Sequence, residues 1–191
     1  MLNLTSKIMA NNKYCGTVAD FRPVSEDQSR VVIMYDLKVK EDSELAEWYQ
    51  VVFYKKKGIP TLEQIKTAVL ADIDRQTDEK ILKECQWTVL HGIDAGKQVT
   101  LWLSAENQRN YSEGQRVAMI TEGTRLPMKF KVGQNEDGTA VYDIFETVEE
   151  ITRFYIHGVN FINQTLNEGW QRKDSIDWTP YEEQLSALLG E

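Results

Sequence analysis

Apolar and polar residues alternate with a period of two through the first third of the chain, then change at Thr61 to a period near 3.6. The stretch 31–39 carries the alternation best, with Ile33, Tyr35, Leu37 and Val39 on one face of a predicted strand. Stretches 14–21 and 48–54 read as further strands, separated from it by a polar turn over 23–29 and the charged residues after Val39. Together they predict an antiparallel meander, closed by Lys55-Lys56-Lys57 and a turn at Gly58-Ile59-Pro60. Three lysines in a row resemble a phosphate grip, but a solvated strand end is the simpler reading. Residues 1–12, polar and Asn-rich, are expected to be a tail or a first edge segment.

Thr61 with Gln64 has capping-box spacing, and Leu62, Ile65, Val69 and Ile73 then predict a helix of about fourteen residues. A second short helical turn is expected from Thr77, with Ile81 and Leu82 facing inward. Stretches 87–90 and 98–103 read as a hairpin turning on Gly92, Asp94 and Gly96. In its second strand Val99, Leu101 and Leu103 face one way, and Gln98, Thr100 and Trp102 the other. Ser104 caps the next helix, which Tyr111, Val117, Ala118 and Ile120 turn inward and which ends by Gly123. Stretches 126–132 and 140–145 form a second hairpin, with Leu126, Met128, Phe130 and Val132 inward. Thr147 and Glu150 form another capping box. Behind it Val148, Ile151, Tyr155, Val159, Ile162, Leu166 and Trp170 mark an amphipathic helix of roughly 22 residues. Thr179 and Glu182 have capping-box spacing with Pro180 at the first helical position, opening a terminal helix with Tyr181, Leu185 and Leu188 inward.

These elements predict an α+β fold: an N-terminal antiparallel β meander, then a small antiparallel sheet packed against amphipathic helices. The change of period near Pro60 divides the chain into a β-rich module over 1–58, suited to docking on a neighbour, and an α+β domain over 61–191.

The chain has 191 residues, and its 22 Lys and Arg against 30 Asp and Glu leave a charge of -8. An acidic chain is ill suited to neutralising phosphates, so nucleic acid is not an expected partner. Apolar runs stop at four or five residues, too short to span a bilayer, and the opening residues lack the apolar core of a secretory leader. No membrane association is expected, and folding is expected in the cytosol. Cys15 and Cys85 lack metal-ligand spacing, and His91 and His157 form no HExxH pair. Both histidines and both cysteines therefore read as structural, with no metal or cofactor expected.

Phosphate-binding glycine loops and a nucleophile elbow are absent from the sequence. Acid pairs such as Glu149/Glu150 and Asp174/Asp177 could serve a cell-wall hydrolase, yet Glu150 reads as a cap and the aspartates as turn residues. An enzyme is not expected. The aromatic residues of the C-terminal half are the sharper feature, with Trp102, Trp170 and Trp178 as candidates for an interaction surface. Packing in the core is the competing account, weakest for Trp102, which the alternation points away from its neighbours.

Four phrases, all within 62–180, stand out: Ile73-Asp74-Arg75-Gln76-Thr77-Asp78-Glu79-Lys80-Ile81-Leu82, Val99-Thr100-Leu101-Trp102-Leu103-Ser104-Ala105-Glu106-Asn107-Gln108-Arg109-Asn110-Tyr111, Leu126-Pro127-Met128-Lys129-Phe130-Lys131, and the stretch from Phe154-Tyr155 to Glu168-Gly169-Trp170-Gln171-Arg172-Lys173-Asp174-Ser175-Ile176-Asp177-Trp178. Together they resemble a family of phage and prophage tail-associated domains of unknown function. Residues 1–58 lie outside the resemblance. It implies a non-enzymatic structural or accessory component of a tail, met in the fibre or baseplate neighbourhood and acting by protein–protein contact. Its partners would be other virion proteins, with homo-oligomers allowed. Its location would be the particle, or the host cytoplasm during assembly. A receptor- or glycan-binding tip and a transient tail-fibre assembly chaperone are the alternatives. The family supplies no catalytic residue to carry over, and the Ser104–Tyr111 phrase reads first as a structural junction whose amides tie strand to helix.

Overall fold

The computed structural model describes residues 8–9 and 13–190, the former for backbone only. The fold is α+β: an N-terminal antiparallel sheet, two small antiparallel hairpins and four helices among the described residues. The chain forms two compact units, Met1–Gln76 with Gly169–Glu191, and Thr77–Glu168. These limits differ from the division expected near Pro60.

The first unit holds strands β1 (Ile8–Met9), β2 (Lys13–Thr17), β3 (Val24–Glu26), β4 (Arg30–Val39) and β5 (Leu45–Tyr54), in the order β1-β2-β5-β4-β3. Apart from β1, the tail expected over residues 1–12 lies outside the described residues. Only β3, β4 and β5 form a meander, because β2 pairs with β5 rather than β4. The predicted turn over 23–29 contains β3, whose Val24 pairs with Ile33 and is buried. The first predicted strand is shorter than expected, since residues 18–20 form a turn of 3-10 helix.

Val31, Ile33 and Tyr35 of β4 pack against Ile65, Val69 and Ile73 of helix α1 (Leu62–Lys83) and Tyr181 and Leu185 of helix α4 (Thr179–Leu189). Residues from both ends of the chain thus seal one face of the sheet, which is why no boundary falls at Pro60. Leu37 and Val39 do not follow Ile33 and Tyr35 as expected. Asp36 takes φ 57 at a bulge between Tyr35 and Lys38, and the extra residue turns Leu37 to the opposite face, beside Met34, Ala46 and Trp48. Val39 is exposed.

The capping box at Thr61 forms: Thr61 N–H donates to Gln64 Oε1 at 2.9 Å, and Gln64 N–H to Thr61 Oγ1 at 3.3 Å. The two predicted helical pieces after it are one helix of 22 residues. Buried Thr77 continues the four-residue spacing of Ile65, Val69 and Ile73 and hands it on to Ile81, so the buried face has no break. At the far end, α4 begins one residue earlier than expected. Trp178 occupies the cap position, and Asp177 rather than Thr179 supplies a side-chain acceptor, taking the Thr179 N–H at 2.9 Å.

The second unit contains the hairpins β6 (Gln86–Thr88) with β7 (Gln98–Thr100) and β8 (Met128–Gln134) with β9 (Ala140–Phe145), together with helix α2 (Ala105–Ile120) and most of helix α3 (Val148–Asp174). Its core is aromatic: the Phe154 ring lies 4.7 Å from Tyr111, 4.8 Å from Phe145 and 5.0 Å from Trp87. The buried line of α3 runs through Ile151, Phe154, Gly158 and Thr165, rotated from the predicted stripe. Tyr155, Val159, Ile162 and Leu166 flank it half-buried, and Trp170 is exposed. The helix is 27 residues long, beyond the 22 or so expected, and its last turn carries Arg172, which donates to Asp36 Oδ2 at 2.9 Å and to Gln76 Oε1 at 2.7 Å.

Candidate functional site

Strand alternation puts Trp87 and Val99 inward in the β6–β7 hairpin, and Gln86, Thr88, Gln98 and Thr100 outward. Gln86 Nε2 donates across the pair to Thr100 Oγ1 at 2.9 Å. One step beyond β7, Leu101 and Leu103 are buried while Trp102 between them is 64% exposed. The indole therefore continues the polar outer row on a backbone held by two anchored leucines.

That backbone is held again from α2. Ser104 Oγ accepts the Asn107 N–H at 3.3 Å, Asn107 Nδ2 donates to the Trp102 carbonyl at 2.7 Å, and Gln108 Nε2 donates to the Leu103 carbonyl at 2.7 Å. The amides of the Ser104–Tyr111 phrase thus tie strand to helix, satisfying carbonyls outside any ladder. Tyr111 extends the connection, its hydroxyl donating to the Lys131 carbonyl of β8 at 3.1 Å. Burial pushes that phenol up to about 12, so it stays a donor at neutral pH.

Strand β8 reaches β7 because residue 133 is glycine: a Cβ there would fall 2.9 Å from Val99 Cβ. Between β7, the first turns of α2 and the β8–β9 turn lies an open groove of about 850 Å3. Gln98, Thr100, Trp102, Asn107, Gln134 and Asn135 line it with Gln86, Lys97, Lys131, Glu136 and Asp137. Lys97 Nζ donates to Asn135 Oδ1, closing one end. The two lysines and the two acids balance, so the groove is close to neutral.

The three candidate tryptophans fare differently. Trp102 borders this groove in the second unit. Trp170, in the first, is 55% exposed. Trp178, also in the first, is half-buried, its ring 5.3 Å from Tyr181 and 6.0 Å from the Lys66 ammonium, so it is largely taken up by packing. The alternation around Val99 made Trp102 readable from sequence. The opposite wall was missed because nothing local ties residues 131–137 to residues 98–107.

Several titratable groups singled out earlier are engaged within the fold, while Glu149 and Asp174 are exposed. Glu150 Oε2 accepts the Glu146 and Thr147 N–H groups, its Oε1 lies 2.9 Å from His91 Nε2, and its pKa is lowered chiefly by that histidine. His157 Nε2 meets the Gln86 carbonyl at 2.7 Å beside the Trp87 ring. Cys85 is fully buried, Cys15 half-buried, and neither is in a disulfide. Among the described residues no group of three or more His, Cys, Asp or Glu side chains is placed to hold a metal ion. No described helix is long and apolar enough to cross a membrane.

The groove therefore offers hydrogen bonding and one exposed aromatic face, with Lys97, Lys131, Glu136 and Asp137 as its charged groups. No family model, no curated protein and no solved structure matches the chain.

Proposed function

We propose that this chain is a non-enzymatic structural or accessory component of a phage or prophage-derived tail, working by contact with other proteins of the particle. The observation that carries the reading is the apolar surface of the first unit: Leu45, Val52, Tyr54 and Trp170 are all exposed there. Val52 and Tyr54 project from the same face of β5, and Trp170 belongs to one of the four phrases that resemble tail-associated domains. Tryptophan and tyrosine are among the residues from which protein interfaces draw most energy, which favours contact through Tyr54 and Trp170.

One acid of each pair that a hydrolase would need is already engaged. Glu150 is held by a histidine and two backbone donors, and Asp177 by the Thr179 N–H. Location in the particle, or in the host cytoplasm during assembly, follows from the role.

Mass spectrometry of particles purified from the phage or induced prophage that encodes the chain tests it. The chain should be present in fixed ratio to the tail proteins, and Trp170→Ala with Tyr54→Ser should lower its incorporation. Absence from both purified particles and tail-assembly complexes overturns the reading.

A further inference from the structure

The groove beside Trp102 differs in chemistry from the apolar surface of the first unit. We propose that it binds a neutral saccharide, with the Trp102 indole as the platform for a sugar ring and the surrounding amides as partners for its hydroxyls. The proposal goes beyond the tail reading and stands on the groove's own geometry.

Three observations lead to it. First, the indole is 64% exposed, yet its main chain is fixed by buried Leu101 and Leu103 and by the Asn107 and Gln108 amides. A tryptophan on a fixed main chain has only two side-chain torsions to lose on binding. Sugar rings present flat rows of C–H groups that pack on such a face, while their hydroxyls need donors and acceptors together.

Second, the lining supplies that pairing. Gln98 and Gln134 each carry an acceptor oxygen beside a donor NH2, Asn107 adds its Oδ1 and Thr100 its hydroxyl, while Asn135 is taken up by Lys97 and Thr139. Third, the charges cancel. Lys97 and Lys131 face Glu136 and Asp137 around the same groove, so neither a polyanion nor a polycation is selected. Single-stranded nucleic acid would need a basic channel along its backbone. An apolar peptide would need more than one apolar pocket, and beyond Trp102 the apolar lining side chains Val99, Val132 and Tyr111 are already buried. The volume of about 850 Å3 falls in the range of ligand sites.

The test uses the purified full chain titrated with neutral oligosaccharides of glucose, mannose, galactose and N-acetylglucosamine. Binding is read by tryptophan fluorescence and calorimetry, with heparin oligosaccharides and fibre-derived peptides as competing classes. At least one neutral oligomer should bind saturably. Trp102→Ala should weaken it by about tenfold or more, the scale of losing one aromatic stacking contact. Trp102→Phe should recover part of the loss, and Trp170→Ala should leave affinity within about twofold. Unchanged far-ultraviolet circular dichroism checks each fold, which substitution at an exposed position should preserve.

Saturable binding by none of the neutral oligomers, affinity indifferent to Trp102→Ala, or occupancy of the groove by a peptide or heparin instead would each overturn the proposal. Its failure is separable from that of the tail reading. A chain found in particles that binds no sugar removes only the saccharide, and a sugar-binding chain missing from particles removes only the tail.

Discussion

Asp143 accepts the indole N–H of Trp87 at 2.8 Å in the centre of the second unit, where the carboxylate is wholly buried. Its Oδ2 also takes the Leu90 N–H at 2.9 Å, and its Oδ1 the His91 and Ile144 N–H groups at 3.0 and 2.9 Å. Four donors on one carboxylate fasten the loop after β6 to β9. Buried charge is tolerated only when so fully bonded, and loss of the acceptor strands several N–H groups away from water.

Asp143→Ala should therefore cost about 3 kcal/mol or more, from two or three unpaired donors at 1–3 kcal/mol each. Asp143→Asn retains one acceptor oxygen but turns an NH2 toward N–H groups, and should also destabilise. Urea unfolding of both variants measures this. Stability equal to that of the parent would show that the carboxylate does not hold the loop.

Gly133 makes a second, purely steric case. A methyl group there would press on Val99 Cβ, a short β-branched side chain whose own residue is 5% exposed and has little room to yield. Gly133→Ala should destabilise by about 1–3 kcal/mol through overpacking. It should also shift β8 away from β7 and alter the groove. Gly138→Ala is the contrast: nothing lies within 4 Å of a Cβ there, and only its φ of 84 opposes the change. Thermal unfolding of the pair should rank Gly133→Ala as the more damaging, and the reverse order would remove the packing argument.

Local signals made much of this fold legible. Two of the three expected capping boxes, at Thr61 and Thr147, form and needed only residues three apart, whereas the one at Thr179 does not form. The hairpins followed from alternation around Asp and Gly turns, and the exposure of Trp102 from the same alternation. What escaped depended on distant residues or on single backbone turns. Pairing of β2 with β5 joins Cys15 to Glu47 across 32 positions. The bulge at Asp36 reverses Leu37 without any change in hydrophobic pattern. Asp143 shares the inward row of β9 with Val141 and Phe145, a place for a carboxylate that only its four donors from residues 87–91 and 144 explain. The groove needed the β8–β9 turn to approach β7, a non-local event.

The two thiols should differ in reactivity. Desolvation pushes the Cys85 thiol up to about 11. At pH 8 only about one molecule in a thousand then carries the thiolate, the reactive form. Cys15 is half-buried on β2, its Sγ 3.7 Å from Glu47 Oε1. With a disulfide reagent at pH 8, one equivalent should react before unfolding and be lost in Cys15→Ser, while the second should appear only in denaturant. Rapid modification of Cys85 in the native protein would contradict its enclosure.

The contact between His91 and Glu150 should make stability depend on pH in a defined direction. The Glu150 carboxylate raises the His91 pKa above its ordinary 6.5, and the same hydrogen bond is the largest cause lowering Glu150 below its ordinary 4.5. A histidine raised on folding binds its proton more tightly in the native state, so its contribution is complete below pH 6.5 and disappears as pH rises through the higher native value. Glu150 contributes fully above pH 4.5 and loses that contribution as pH falls through its lowered native value. The charged pair therefore helps most between about pH 4.5 and 6.5. The stability difference between parent and His91→Gln, measured by urea unfolding, should be larger at pH 5.5 than at pH 8.5. At either pH, Glu150→Gln should shrink the effect of His91→Gln, since the two changes remove one interaction. A difference that is flat across this range, or additive effects of the two substitutions, would show that His91 and Glu150 contribute independently.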